Sequence, residues 1–296
     1  MSAIRKVRRR IGRLVPREYA IRFRLFRASL SPSSILAERR ADVVLTSYPK
    51  CGRTWLRVMI SHALGLHVGT DDVDYLGTDV LEDAAGTRIP RIRISHDGSP
   101  HWKTPRGVSR SKRKYRGKKI LLLVRDPRDV VVSMYFERSR RERAYSGSLG
   151  EFLHEAKGSL DTIIGYYNVW NESRDVPQGL CVVRYEDLHA DTAKELRRIF
   201  DFLEIPDISD AHIHEAVEFG SFGNMRSMES SDTLKSGRLR ARDSSDVESF
   251  KTRRGVVGGY VDYLDPEQIA WMEDRIRTGL HPSFGYSEPR ALSTEA

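Results

Sequence analysis

Hydrophobic and polar positions change period repeatedly along this chain, and the changes mark an alternation of strands and helices. The first clear unit is Asp42 to Met59, DVVLTSYPKCGRTWLRVM. Its β-branched run Val43–Val44–Leu45 predicts a short buried strand that ends in a turn at Pro49 and Gly52. Beyond the turn, Thr54, Trp55, Leu56, Met59, Ile60 and Ala63 fall at the spacing of a buried helix face. Ile89 to Ser95 predicts a second short strand, which delivers His96 and Asp97 at its end. Ile120 to Val124 is apolar at every position, the pattern of a central strand in a parallel sheet. Val130 to Glu137 continues it as a helix. Residues 151–174 read as helix, with Phe152, Leu153, Leu160, Ile163, Ile164, Tyr167 and Trp170 facing the core. Leu180–Val183 is a further strand, a helix follows through Phe200 to Leu203, and Trp271 to Leu280 predicts a terminal helix. The alternation implies right-handed βαβ units, an α/β fold in which ligands sit at the carboxyl ends of parallel strands.

The intervening segments are polar. Residues 70–90 are acidic and turn-rich, and predict loops with a short helix. Residues 99–119 carry nine Lys or Arg around His101, Trp102 and Tyr115, the look of a solvated basic surface. Residues 140–150 predict a mobile loop, and 226–250, rich in Ser, Asp and Arg, a flexible loop or lid.

Composition changes this picture in one place. The net charge of +9 is concentrated in residues 1–40, where twelve Lys or Arg face Glu18 and Glu38 alone, so the body is nearly neutral. Ile4, Val7, Ile11, Leu14 and Val15 recur at helical spacing among the arginines. A basic amphipathic arm of this kind suits an anionic lipid surface, so residues 1–30 are a candidate for peripheral membrane contact. With a neutral body the high net charge is no evidence that the whole protein binds nucleic acid, and no specific nucleic-acid partner is expected. Two cysteines, Cys51 and Cys181, offer neither a disulfide framework nor a zinc site. No apolar run is long enough to span a membrane, and the amino terminus lacks the apolar core of a secretory signal. The expected compartment is the cytoplasm. Three units are expected: a basic arm over 1–40, a catalytic domain over 41–285 and a tail over 286–296.

Strand, tight loop and helix N-terminus together make a preformed anion site, because unpaired backbone N–H groups and the helix dipole converge there. Lys50 adds a mobile charge and Thr54 a hydroxyl. This is not the Walker A loop, whose Lys follows its second Gly at the helix start. YPKCGRTWL, with Lys50, Cys51, Gly52, Arg53, Thr54 and Trp55, instead resembles the 5′-phosphosulfate loop of PAPS-dependent sulfotransferases, usually YPKSGTTW. Four further stretches fit that family in order. VRDPRDVVVSMY resembles its 3′-phosphate motif, with Arg125 and Ser133 eight residues apart; Arg128 and Asp129 read as structural. VVRYEDL resembles the segment whose Tyr, here Tyr185, borders the adenine, with Glu186 and Asp187 read as capping the next helix. SFGNM resembles the segment whose Phe packs on the base, here Phe222 beside Ser221, though Gly220 replaces a usual Thr. FKTRRGVVGGYVDYL resembles the C-terminal RKGxxGDW motif through Arg253, Arg254 and Gly255.

The resemblance implies a single P-loop-like α/β domain that moves the sulfuryl group of PAPS to an acceptor hydroxyl or amine and releases PAP without a metal. It implies His96, in Ser95-His96-Asp97, as the general base; Ile94 holds the place of the usual Lys, so its role passes to Lys50 or to Arg93. The acceptor is expected to be a small molecule, glycolipid or carbohydrate. The rival readings are a P-loop-like kinase using ATP and Mg²⁺, and a non-catalytic membrane or polyanion adaptor driven by the arm.

Overall fold

The computed structural model describes Leu36 and residues 38–77, 79–80, 89–205, 207–234, 239–240 and 243–287. The arm as far as residue 35 and the tail beyond 287 lie outside the described residues. Strand β1 (Val43–Ser47) is buried at every position and leads into helix α1 (Arg53–Val68), whose Leu56, Met59, Ile60 and Ala63 are buried as their spacing predicts. Two strands follow, β2 (Asp79–Val80) and β3 (Ile92–Ser95). Residues 79–80 thus add an edge strand where the acidic composition predicts loops and a short helix; residues 81–88 of that stretch lie outside the described residues. Strand β4 (Lys119–Val124) runs into α2 (Pro127–Phe136), which Asp126 caps by accepting the Arg128 N–H.

The single helix expected over 151–174 is two, α3 (Leu149–Leu153) and α4 (Leu160–Glu172). Gly158 separates them at φ +78, and a side chain there would collide with the His101 carbonyl. Strand β5 (Gly179–Arg184), the short α5 (Tyr185–Ala190) and α6 (Thr192–Leu203) come next. Then follow α7 (Asp210–Phe219), α8 (Phe222–Ser231) and α9 (Pro266–Gly279). Helix α8 replaces the first part of the lid expected over 226–250. Its Met225, Met228 and Glu229 are buried, so a few apolar residues and one buried carboxylate order a segment whose composition is polar.

The sheet order is β2-β3-β1-β4-β5. β1, β3, β4 and β5 are parallel, and β2 lies antiparallel on the edge. Helices cover both faces of β1 and β4, whose apolar side chains are excluded from solvent. The strand ends at Ser47, Ser95, Val124 and Arg184 therefore open toward one rim, where four loops meet.

The basic stretch 99–119 departs most from its sequence reading. It forms short 3₁₀ turns against the core, with Lys112, Lys118, His101, Trp102 and Tyr115 buried. The Lys112 ammonium donates to Asp97 and to the Ser109 carbonyl, and lies 4.8 Å from the Trp170 ring centre. Asp97 also accepts from the Tyr115 hydroxyl at 2.8 Å. The carboxylate that follows His96 is thus a structural anchor. Removing one member of a fully buried ion pair leaves an uncompensated charge. Asp97→Ala is expected to lower unfolding free energy by about 3–5 kcal/mol in urea titrations, far more than Asp42→Ala on the exposed pair with Arg91.

Candidate active site

The loop after β1 turns sharply, with Lys50 at φ 73 and Gly52 at φ 91, both left-handed. A Cβ on Gly52 would stand 2.7 Å from the Tyr185 ring, so glycine is what lets β5's end approach the loop. The loop's backbone opens onto a cavity of about 580 Å³, the size of a cofactor cleft. Lys50, Gly52, Arg53, Thr54 and Trp55 line it. Cys51 does not. Its thiol is buried 3.4 Å from the Tyr167 hydroxyl and pushed up to about 12 by burial, which makes it a packing group rather than a nucleophile.

The same cavity is lined by Arg125 and Ser133, by Tyr185, by Ser221 and Phe222, and by Arg253, Arg254 and Gly255. Arg125 lies over the Tyr185 ring at 4.3 Å, donates to the Val256 carbonyl at 2.8 Å and pairs with Asp129 at 3.2 Å. Asp129 also accepts the Gly258 and Tyr260 N–H groups at 2.8 and 3.1 Å, tying the C-terminal loop to the end of β4. Arg128 is structural, buried in a bidentate pair with Asp126. Arg253 pairs with Glu248 at 3.0 Å and Arg254 with Asp262 at 2.5 Å. The Nε atoms of Arg125 and Arg253 are buried and without a hydrogen-bond acceptor.

Aromatic walls close the other side. Trp55 meets Tyr185 edge-on at 5.6 Å and donates to the Gly220 carbonyl at 2.7 Å. Gly220 has no room for the Thr expected there, since a Cβ would stand 2.4 Å from Met59. Phe222 is half exposed over the cavity, and Gly255, at φ 68, lets it in: a Cβ there would stand 2.4 Å from its ring. Glu186 accepts the Asp126 N–H at 2.8 Å and the Tyr286 hydroxyl at 2.6 Å. Its carboxylate thus clamps two loops, a different task from the capping expected of it, while α5 starts at Arg184 without a side-chain cap.

His96 enters from the end of β3. Its Nδ1–H donates to the Ser47 carbonyl at 3.1 Å, which leaves the lone pair on Nε2. Arg53 Nη2 stands 2.5 Å from that Nε2. Burial first, then Arg53 and His101, hold His96 well below the usual histidine range, so it is neutral. Lys50 pairs with Glu137 at 2.7 Å.

Several lining residues escape the sequence reading. Glu137, one turn past Ser133, is partly buried, but Lys50, Arg141 and Lys251 outweigh the cost of its desolvation and hold its carboxyl at about 2. Lys251 is brought down to about 7 by burial, with Lys50, Arg141 and Arg53 adding to the effect and Glu137 opposing it. Glu142 and His101 line the same wall. The one available signal for Lys251 was its place two residues before Arg253. Glu137 and Glu142 gave none, because they close α2 through a π turn (Glu137–Arg141) that no helical period predicts.

Comparison with known proteins places this geometry. The family model described as Sulfotransferase domain matches residues 40–284. The chain belongs to the sulfotransferase family. It is 26% identical over 259 residues to cytosolic sulfotransferase 10 of Arabidopsis thaliana, covering 78% of this chain and 75% of that one. It is 24% identical to sulfotransferase 6B1 of Danio rerio, with 86% of each covered. In fold it is similar to mouse sulfotransferase SULT7A1, solved with PAP, at TM-score 0.56 and 22% identity over 81% of this chain and 84% of that one. Retinol dehydratase, solved with androsterone and PAP, is similar at TM-score 0.57 and 18% identity, with 84% and 82% covered. Family membership displaces the kinase and adaptor readings.

Gly255→Ala should therefore weaken PAP binding at least tenfold by calorimetry, because the added methyl drives Phe222 off the cavity wall. The folded state should persist with a Tm lowered by only a few degrees, since the site is at the rim and not in the core.

Proposed function

We propose that this sulfotransferase takes PAPS as donor and a hydroxyl or amine of a small molecule as acceptor, with His96 as general base. The observation that carries the reading is the convergence on one cavity of a left-handed phosphate loop, the Arg125–Ser133 pair, the 253–255 turn and a neutral histidine. The residues present fit the donor. Arg125 and Arg253 offer buried N–H groups without acceptors, suited to a 3′-phosphate, and Gly52 and Gly255 let the Tyr185 and Phe222 rings stand where a Cβ would collide with them. Trp55, Tyr185 and Phe222 would wall the adenine, with Ser221 at its edge. Lys50, Arg53, Thr54 and the loop amides would hold the 5′-phosphosulfate.

When bound, PAPS supplies an activated sulfuryl group on a good leaving group. The protein's part is to remove the acceptor's proton, align it and neutralise charge on the leaving oxygen. His96 Nε2 is set to accept that proton, because its Nδ1 is fixed on Ser47 and its depressed basicity keeps it unprotonated at neutral pH. An acceptor hydroxyl attacking the sulfuryl group, with PAP leaving, would give up its proton to Nε2. Arg53 occupies that nitrogen in this structure; its guanidinium would turn to the donor, freeing the lone pair for the acceptor. Lys50 would exchange Glu137 for the bridging oxygen, with Lys251 close by in place of the Lys that Ile94 replaces. Contact of residues 1–30 with an anionic membrane, and a glycolipid or carbohydrate acceptor presented there, rest on the arm's sequence.

His96→Ala is expected to cut kcat at least about a hundredfold, the usual worth of general-base catalysis, with PAP affinity within a few fold of the parent. Loss of PAP binding in step with activity would mean that His96 acts structurally. In the parent, kcat/KM should hold below pH 6.5 and fall only at lower pH. Arg53→Thr should move that acid limb to higher pH, because a neighbouring cation that disfavours the imidazolium is gone.

A further inference from the structure

We propose that the amino edge of the sheet is a docking face for an anionic phospholipid surface, and that docking there leaves the nucleotide cavity turned away from the lipid. This rests on the reading of residues 1–30 as a membrane-contact arm, and adds to it a face of the folded domain and a direction. Val43 is in register with Ile92 and with Lys119, and Lys119 with Gly179, so the four parallel strands start along one edge. Two chain segments lie side by side there. Lys118 donates to the Arg39 carbonyl at 2.9 Å and to the Ala41 carbonyl, Lys114 pairs with Glu38 at 2.9 Å, and the Lys119 N–H donates to the Asp42 carbonyl at 3.0 Å. Lys112 and Tyr115 are buried, which leaves Arg113, Lys114 and Arg116 on the outside.

The charge of this edge is uncompensated. Arg39, Arg40, Arg113 and Arg116 are exposed and make no ion pair with a described residue. The acids of the same segments are taken, Glu38 by Lys114 and Asp42 by Arg91 in a bidentate pair. Asp175, beside the equally exposed Arg174, and Asp201 belong to the segments that flank β5. The domain as a whole is nearly neutral, so four guanidiniums without an ion partner among the described residues give this edge a sign of its own. The chain leaves it toward residues 1–35, which hold ten Lys or Arg and one Glu.

Chemistry selects the partner. All four unpaired cations are arginines, whose planar fork pairs bidentately with phosphate. Lipid headgroups and nucleic acid both present phosphates, and the apolar residues decide between them. Ile4, Val7, Ile11 and Leu14 recur at helical spacing among the arginines of the arm, and Phe23, Leu25 and Phe26 follow. A bilayer takes up apolar side chains beneath its phosphates, whereas a duplex backbone offers them no such layer. Arm and edge are continuous along the chain, so one surface engages both, and the attraction grows with each basic residue brought near it. The cavity lies at the other ends of the strands, where Lys50, His96, Arg125 and Tyr185 follow β1, β3, β4 and β5. Strands of five or six residues put roughly 16–20 Å of sheet between cavity and edge. The acceptor then enters from the aqueous side.

Cosedimentation of the full chain with phosphatidylcholine vesicles containing about 30% phosphatidylserine tests the face, at a salt concentration of about 0.1 M. The parent is expected to bind these vesicles and not pure phosphatidylcholine. Arg113→Glu with Arg116→Glu should weaken binding at least tenfold. Arg275→Glu with Arg277→Glu, the same charge change at exposed positions of α9, should weaken it less than threefold. All four side chains are exposed, so both variants should melt within a few degrees of the parent. Equal losses in the two variants would reduce the effect to net charge and overturn the proposal. Binding that is lost with Arg8→Gln, Arg9→Gln and Arg10→Gln together, but kept by the edge variant, would leave the arm reading standing and overturn the face. No binding by the parent would remove both.

Two further readouts fix the partner and the direction. A DNA duplex bound more tightly than these vesicles at the same salt, and weakened by the edge substitutions, would make the partner a polyanion and overturn the lipid assignment. PAP affinity should agree within twofold with and without vesicles. A tenfold loss of PAP affinity on them would place the cavity against the lipid and overturn the direction.

Discussion

Like charges crowded into one cleft repel, and this cleft gathers Lys50, Arg53, Arg125, Lys251, Arg253 and Arg254. Two unit charges 6 Å apart cost about 3 kcal/mol at an effective dielectric constant of 20. The fold meets that constraint with carboxylates of its own: Glu137 on Lys50, Asp129 on Arg125, Glu248 on Arg253 and Asp262 on Arg254. Those carboxylates come from the π turn, from α2 and from the segments flanking the 253–255 turn, and one of them, Asp129, also accepts the Gly258 and Tyr260 N–H groups and so docks the C-terminal loop onto the sheet rim. A donor with a phosphate at each end would take over part of this work. Binding is then an exchange of counter-ions within a preformed frame, which explains how such a cationic cavity can exist before its ligand arrives.

The frame itself follows from ordinary packing. The central strands β1 and β4, with apolar residues on both faces, need helices on both sides, and the crossovers bring the ends of all four parallel strands to one rim. Positive φ at Lys50, Gly52 and Gly255 then makes the sharp turns that set these residues on the cavity wall. Arg141 and Glu229 complete the closure. Glu229 accepts from Arg141 and from the Lys251 and Thr252 N–H groups at 2.6 and 2.7 Å, a buried junction that fixes where the 253–255 turn begins.

Much of this was legible in the chain. Val43–Leu45, Ile120–Val124 and Leu180–Val183 are continuous apolar runs bounded by turn residues, and each is a strand within a residue or two at either end. That the loop after β1, Arg125 with Ser133 and the 253–255 turn share one cavity wall was legible because each is a short local motif with fixed spacing. What stayed hidden depends on long-range partners. Lys112 reads as surface until Asp97, Tyr115 and Trp170 surround it. Helix α8 looks like a polar loop until Met225, Met228 and Glu229 find the core. Glu137 and Glu142 reach the cavity only because the helix loosens into a π turn, and no periodic pattern announces that. The ion pair of Arg125 with Asp129, four residues on, is a long-range partner's work as well, since Asp129 also holds the Gly258 and Tyr260 N–H groups.

The central claim is that these cations, Arg125 foremost, recognise a phosphate on the 3′ side of an adenosine nucleotide. Calorimetric titration of PAP and of adenosine 5′-monophosphate, both with EDTA present, tests it most directly, because the two ligands differ only in the 3′-phosphate. PAP should bind at least a hundredfold more tightly, and Arg125→Ala should remove most of that margin. Equal affinities for the two, or tight binding of ATP with Mg²⁺ where PAP binds weakly, would contradict the account.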